Sequence, residues 1–269
     1  MNPKRIVLTG GGTAGHIAPN IALIPHLKEA GYEIHYIGAK DSLEQQLMQK
    51  EEGVCFHSIP VGKLRRYFDW KNFTDPFRVM SGTAQAANLI KKLKPRIVFA
   101  KGGFASVPVV YGAKLASVPV VLHESDFTPG LANKICMPMC VKICTAFAET
   151  ADNLGEKAVY TGLPVREALL SGDRARGLAI AGFKSRRPVL LIMGGSQGAA
   201  AINEAVRAAI RQLVARFDII HLCGPGNLSP VLTGIRGYFQ MEYAREDLPH
   251  LYAATDVALS RAGAGAIFE

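Results

Sequence analysis

The sequence predicts an α/β protein of two similar halves, each a parallel sheet with helices on both faces. Three observations predict it. Strand-like apolar runs alternate with helical runs along the chain, the pattern of successive βαβ units. A strand–glycine–helix unit, "RIVLTGGGTAGHIAPNIALIPHLKEAG", opens the chain, and a similar one, "VLLIMGGSQGAAAINEAVRAAI", returns at Val189 to Ile210. Between them, around Thr161 to Lys184, the alternation breaks. The two glycine loops therefore read as equivalent first turns of two halves, not as a short tandem repeat.

In order, "RIVLTG" reads as a strand and "APNIALIPHLKEAG" as a helix closed by Gly31. "EIHYIGA" is a strand, "SLEQQLMQKEEG" a helix and "CFHSIPV" a third strand. "GTAQAANLIKKLKP", "VPVVYGAKLASV" and "PGLANKICMPMC" read as helices. "RIVFAKGG", "PVVLHES", "VKICTAF" and "AVYTGLPV" read as strands. "GLPVREALLSGDRARGLAIAGFKSRRP" reads as connecting structure with a short helix at "REALL". The second half restarts with the strand "PVLLIMGG" and the helix "AAAINEAVRAAIRQLV", then the strands "FDIIHLCG", "YFQMEYA" and "TDVALSR". A boundary near Gly162 gives domains 1–162 and 163–269. The chain stops inside a helical run, "AGAGAIFE", with no further helix for that sheet edge, so the second domain is expected to be incomplete.

Apolar residues make up 49% of the 269, against 20% charged, which predicts a core-forming protein and excludes a disordered one. No uninterrupted apolar run reaches the ~18 residues of a spanning helix. "MNPKRIVLTGG" passes from two basic residues into a strand and glycines, unlike a signal peptide. The net charge of +9 favours anionic partners: nucleotides, phosphorylated lipid, a membrane surface or nucleic acid. Five cysteines, an odd number, point to a reducing compartment. Cys136, Cys140 and Cys144 fall at i, i+4 and i+8 and could share one helix face, but without a CxxC or a nearby histidine they read as buried small side chains, not a metal site.

In a parallel sheet, functional loops lie at the carboxyl ends of the strands. The first glycine loop, "AKGGFAS" and "LHESDFTPG" all follow strands and are expected to converge on one rim. "GGGTAG" is not GxGxxG and lacks the lysine of a P-loop. Its glycines allow close approach to the backbone, and the helix N-terminus after it offers N–H groups to an anion. His16, at that terminus, is a candidate acid/base or sugar ligand, or simply part of the turn. "GGSQGA" at Gly194 to Ala199 repeats the idea, with Ser196 suited to phosphate or the turn merely tight. "SRAGAGAIFE" is a third glycine-rich turn, and Glu269 beyond it offers a carboxylate to ribose hydroxyls.

"GGGTAGHIAPNIAL", "AKGGFASVPVV", "LHESDFTPGLANK", "TGLPVRE", "MGGSQGAAAIN" and "SRAGAGAIFE" occur in this order. Together they closely resemble the MurG family of peptidoglycan N-acetylglucosaminyltransferases, from about Arg5 to Glu269. The resemblance implies a GT-B fold of two Rossmann-like domains. It implies transfer of N-acetylglucosamine, with inversion, from UDP-N-acetylglucosamine to undecaprenyl-pyrophosphoryl-muramoyl-pentapeptide. The second half would hold the UDP-sugar, and the first would dock the lipid acceptor at the cytoplasmic face of the cell membrane. Neither a cofactor nor a protein-held metal is implied. Matched by position, Thr13, Ala14 and Gly15 fall on the sugar-contacting loop, Arg166 and Ser196 on donor-binding positions, Ala264 and Gly265 on the pyrophosphate turn, and Glu269 on the ribose carboxylate. Ala14 departs from the glycine of many members. Asp126 stands where many have asparagine, and an aspartate cannot donate to a sugar hydroxyl. His16 and Glu124 are the catalytic candidates, in loops expected to meet at the interdomain cleft. His16 has the better pKa for a general base, and Glu124 would orient His123 or a sugar hydroxyl. The family also carries donor contacts, a glutamine among them, beyond the point where this chain stops.

"GKLRRYFDWKNFTDPFRVM" mixes Arg65, Arg66, Lys71 and Arg78 with Tyr67, Phe68, Trp70, Phe73 and Phe77. Such a mixture suits an anionic membrane surface, or base stacking on nucleic acid, or a core edge with a solvated rim. A lipid-linked acceptor favours the membrane, so no nucleic-acid partner is expected. Two rivals stand beside the transferase: a UDP-sugar epimerase of related architecture, and an inactive, truncated membrane-associated protein.

Overall fold

A computed structural model describes residues 4–62, 71–184, 186–195 and 197–269. Ser196 and Arg65, Arg66, Tyr67, Phe68 and Trp70 lie outside the described residues. The chain divides into two compact units, Met1–Val165 and Arg166–Glu269.

In the first unit the strands are β1 (Lys4–Thr9), β2 (Tyr32–Ala39), β3 (Val54–Ile59), β4 (Ile97–Ala100), β5 (Val120–Glu124), β6 (Lys142–Thr145) and β7 (Ala158–Tyr160). They form one parallel sheet in the order β3-β2-β1-β4-β5-β6-β7. The helices are α1 (Ala14–Glu29), α2 (Leu43–Met48), α3 (Lys71–Leu93), α4 (Ser106–Leu115), α5 (Leu131–Cys136) and α6 (Ala148–Leu154). Both faces of the sheet are covered, so its strands read as near-continuous apolar runs. Ile6, Leu8, Ile34 and Tyr36 pack on Ile17 and Ile24 of α1 and Met48 of α2. Val7, Ile37, Val98 and Leu122 point the other way, onto Ile90 of α3 and Val109 and Val110 of α4.

The second unit is a smaller copy of the plan. Strands β8 (Val189–Met193), β9 (Asp218–Leu222), β10 (Tyr238–Met241) and β11 (Val257–Ser260) form a parallel sheet in the order β10-β9-β8-β11. Helices α7 (Arg174–Ile180), α8 (Ala200–Ala208), α9 (Ile210–Leu213), α10 (Leu248–Ala254) and α11 (Ala264–Phe268) accompany it. Leu190 and Ile192 face Val206 of α8 and Ile210 of α9. Val189 and Leu191 face Leu251 and Ala254 of α10, with Leu178 of α7 behind.

Four local expectations change. "GDRARGLAI" is not connecting structure but the helix α7, whose N-terminus is capped by Asp173 accepting the Arg176 N–H at 3.1 Å. "REALL" is a short 3-10 turn, and the long helix after β8 is split at Ala209 into α8 and α9. Cys136, Cys140 and Cys144 do not share a helix face: α5 stops at Cys136 because Pro138 lacks the N–H that would continue the ladder, and Cys144 lies on β6. All five cysteines are free thiols, with Cys136 and Cys140 buried.

Tyr36 ties the first core to the glycine turn after β1. Its buried hydroxyl donates to the Gly10 carbonyl and accepts from Asn20 Nδ2 at 3.2 Å. Tyr36→Phe keeps the ring packing, takes the donor from the Gly10 carbonyl and leaves Asn20 Nδ2 only its bond to the Thr9 carbonyl. It should cost about 1–3 kcal/mol in urea unfolding of the chain, whereas a change within a few tenths of a kcal/mol would show that the hydroxyl does not hold the turn.

Candidate active site

In each sheet the strand order reverses at its first strand: β2 and β4 flank β1, and β9 and β11 flank β8. Ligands of such sheets bind outside the carboxyl ends of the strands at that reversal. A glycine turn follows every one of the four strands at the two reversals. These are Gly10 to Gly12 after β1, Gly102 and Gly103 after β4, Gly194 to Gly198 after β8, and Gly263 before α11.

The turns of the first unit interlock. Gly11 N–H donates to the Gly102 carbonyl at 3.3 Å, and Lys101 N–H to the Thr9 carbonyl at 2.8 Å. Gly103, in the left-handed region at φ +78°, leaves no room for a Cβ against the Gly11 carbonyl oxygen and would place one 3.0 Å from His16 Nδ1. Thr13 is the N-cap residue of α1, and Ala14, Gly15 and His16 are its first three residues. His16 is half-buried. Its Nδ1 lies 3.1 Å from the Gly11 carbonyl oxygen and 3.2 Å from Thr13 Oγ1. A carbonyl only accepts, so the ring proton sits on Nδ1 and the lone pair on Nε2 is the basic position. Burial, and then the charge of Lys101, hold the His16 pKa below its usual value. The ring is therefore neutral at neutral pH and able to take a proton. Pro19 has no N–H, so the Gly15 carbonyl, at the exposed start of α1, lacks its i+4 helical donor.

A carboxylate stands beside this helix N-terminus, which the glycines alone did not announce. Glu44, buried on α2, accepts the Gly12 N–H at 3.4 Å and the Ala39 N–H at 3.3 Å, and a Cβ on Gly11 would lie 2.5 Å from its carboxylate. A fixed carboxylate beside the turn repels a phosphate and suits a hydroxyl-rich, uncharged group.

Glu124 ends β5 and is buried. One oxygen accepts the Asp126 N–H at 2.8 Å; the other accepts the Gly130 N–H at 3.2 Å and Asn133 Nδ2 at 2.8 Å. This carboxylate shapes the loop from Ser125 to Gly130. It does not orient His123, whose Nε2 donates to the Gly162 carbonyl at 2.8 Å. Two buried residues that the sequence reading passed over complete the cluster. Lys101, inside the "AKGGFAS" already singled out, donates to the Ser125 hydroxyl. Asn133, inside "GLANK", carries the Glu124 carboxylate.

The second unit brings Arg166 and Glu269 together. Arg166 Nη2 lies 3.6 Å from Glu269 Oε1, and Tyr252 donates to Glu269 Oε2 at 3.3 Å. Arg166 Nε is buried and has no hydrogen-bond partner among the described residues. Ala264 is buried at the start of α11, while Gly265 has open space where a side chain would stand. The turns after β8 and β11 adjoin, since Met193 pairs with Ser260 in the sheet and a Cβ on Gly195 would lie 3.0 Å from Arg261 Nη2. Tyr252 carries no local motif that would have singled it out, and Arg261, inside "SRAGAGAIFE", was passed over.

Comparison with known proteins gives the relationships. Residues 6–145 match the glycosyltransferase family 28 N-terminal domain, and residues 189–269 the C-terminal domain of the same family. Over 267 residues, the chain is 54% identical to a UDP-N-acetylglucosamine–N-acetylmuramyl-(pentapeptide) pyrophosphoryl-undecaprenol N-acetylglucosamine transferase of Clostridium tetani, covering 99% of this chain and 74% of the relative. It is 55% identical to the protein of that name in Geobacillus kaustophilus, covering 99% and 75%. The solved structure of Acinetobacter baumannii MurG superposes with a TM-score of 0.71 at 23% identity, over 98% of this chain and 74% of that one. A UDP-GlcNAc 2-epimerase from Neisseria meningitidis, bound to UDP-GlcNAc, superposes at 0.66 and 14% identity, over 97% and 78%. The likenesses to solved structures establish the fold, two Rossmann-like units of the GT-B class. With both domain matches and more than half of all residues shared with these relatives, the chain belongs to glycosyltransferase family 28, in its MurG branch.

Proposed function

We propose that this chain moves N-acetylglucosamine from UDP-N-acetylglucosamine to the muramoyl sugar of undecaprenyl-pyrophosphoryl-N-acetylmuramoyl-pentapeptide, with inversion, in peptidoglycan synthesis. The observation that carries the reading is the identity of 54–55% with transferases of that name along 267 residues. The epimerase at 14% identity shares the fold alone.

In this reading the acceptor hydroxyl attacks the anomeric carbon of the donor. The new C–O bond forms on one face while the bond to the diphosphate breaks on the other, and UDP leaves with the electron pair. His16 Nε2 takes the hydroxyl proton, in keeping with its neutral ring and with the Nδ1 proton held by Gly11. Glu124 serves by holding the loop after β5. The carboxylate of Glu44 supports an uncharged sugar, rather than a phosphate, near Thr13, Ala14 and Gly15, with the Gly15 carbonyl as acceptor. Arg166 takes the donor diphosphate through its unpartnered Nε, Glu269 the ribose hydroxyls, and Ser196, Ala264 and Gly265 the turns beside the diphosphate. The first unit thus serves the acceptor and the second the donor.

We place the protein as a peripheral partner of the anionic inner membrane surface, on its cytoplasmic side. Among the described residues no helix is long and apolar enough to cross a membrane. The first unit carries an apolar groove of about 600 Å³ between α3 and α4, lined by Val79, Met80, Val107, Tyr111 and Leu115. Phe77, Met80 and Leu115 are 73%, 69% and 63% exposed beside it. Exposed apolar side chains grouped in this way mark a contact surface, and the basic run with Arg65 and Arg66 precedes it in sequence.

Four outcomes follow. His16→Ala should lower turnover ~10²–10⁴-fold with donor affinity nearly unchanged; poor UDP-N-acetylglucosamine binding at normal turnover would make His16 a ligand only. Since His16 acts as a base only when neutral and its pKa is depressed, kcat/KM should hold through neutral pH and fall only below pH 6.5. Arg166→Ala should weaken UDP-N-acetylglucosamine binding by roughly 1–3 kcal/mol in calorimetry, and an unchanged affinity would remove Arg166 from the donor site. In sedimentation with anionic vesicles, Phe77→Ser with Met80→Ser should weaken binding at every salt concentration, because apolar burial is not screened. Arg65→Ser with Arg66→Ser should weaken it mainly at low salt, by about 1 kcal/mol per charge. Sedimentation equal to the parent in both would show that this face is not the membrane contact.

A further inference from the structure

Lys101 is wholly buried, which a lysine rarely is without a partner. It is the first residue after β4, and its backbone N–H extends the ladder onto Thr9. The ammonium donates to Ser125 in the loop that Glu124 and Asn133 hold in place. The turn directly after it, Gly102 to Gly103, packs on the Gly11 carbonyl and the His16 ring. A cation is thus fixed by the backbone of one switch-point strand and by the loop of the next, beside the turn that carries His16. We propose that Lys101 is a positioning residue of the candidate site: held at Thr9 and Ser125, it fixes a positive charge beside the turn that packs on His16 and against the carboxylates of Glu124 and Asp126. The proposal rests on the reading of His16 as base.

The charges around His16 give the sign. Lys101 disfavours a proton on the ring, while Glu124, Asp126 and the Gly11 carbonyl favour one. Glu44 lies against the same turn at Gly11 and Gly12. Lys101 is therefore the one cation acting on His16 among these groups. Burial draws its own pKa down to about 8, with Glu124 and Asp126 acting against that fall, so it is mostly charged at neutral pH. Without it the charged neighbours of His16 among the described residues are anionic, and the ring must hold its proton to higher pH. A residue that only packed would lower stability or rate evenly across pH and leave that midpoint in place.

The test follows the His16 ring by NMR against pH in the full chain, its resonance identified by loss in His16→Ala. Lys101→Met and Lys101→Gln should raise the His16 midpoint by about one pH unit, and Lys101→Arg should leave it low. Lys101→Gln keeps an N–H donor facing Ser125 without the charge and serves if the methionine variant does not fold. The buried His221 of the second unit reports intact structure. The acid limb of kcat/KM should move upward by the same amount in both neutral variants. An unmoved His16 midpoint in a folded neutral variant overturns the proposal. A raised midpoint with an unmoved limb upholds the hold of Lys101 on His16 and places the failure in the reading of His16 as base.

Discussion

A parallel sheet whose order reverses at its first strand must open there, because the crossovers on either side of that strand leave to opposite faces. In the first unit the opening lies between β1 and β4, in the second between β8 and β11. The rest of the chemistry depends on this constraint. Only turns at those strand ends reach the opening, and only glycines let two such turns approach as closely as Gly103 approaches Gly11. The helices that follow carry His16 and Ala264 in their first turns. The reversal therefore decides which of many loops can hold reactive groups.

Such convergence brings buried polar groups together, and they need partners. In the first unit the requirement is met by interlocking. Glu124 takes two N–H groups and the Asn133 amide, Tyr36 caps the Gly10 carbonyl, and Glu44 takes the Gly12 N–H. These bonds leave the loops little freedom, so the ring of His16 is held by the same contacts that satisfy the backbone. Rigidity and the position of this ring have a common source here.

The fold class was legible because it is written locally: apolar runs of strand length, glycine turns behind them and helices after those. The place of His16 at the head of α1 was legible for the same reason. The helix nonetheless begins at Ala14, four residues before the run from Ala18 that reads as helix, and takes in Ala14 and Gly15, which read as loop. Illegible residues owe their place to partners far along the chain. Glu44 reaches the first turn across 32 positions, and Lys101 meets Ser125 across 24. Nothing in the spacing of either pair announces the meeting. The helix α7 went unread although Asp173 is a good N-cap, because its short stretch lacks a run of large apolar residues and depends on packing against α10. The periodic placing of Cys136, Cys140 and Cys144 misled in the opposite way, since Pro138 ends the periodicity that the spacing assumed.

The two units use one backbone device for different chemistries, and the difference lies in the charge set beside it. In the first, the turn after β1 rests on the carboxylate of Glu44, which consumes an N–H and disfavours an anion. In the second, the corresponding turn after β8 rests beside the guanidinium of Arg261, and Arg166 offers a buried, unpartnered N–H. A glycine turn with a carboxylate behind it suits hydroxyl groups, and one with guanidinium groups around it suits a diphosphate. Superposition of backbones alone cannot tell these apart, which is why epimerases and transferases share this fold at low identity. In the proposed reading it is the side chains behind the turns, and not the turns themselves, that separate the acceptor unit from the donor unit.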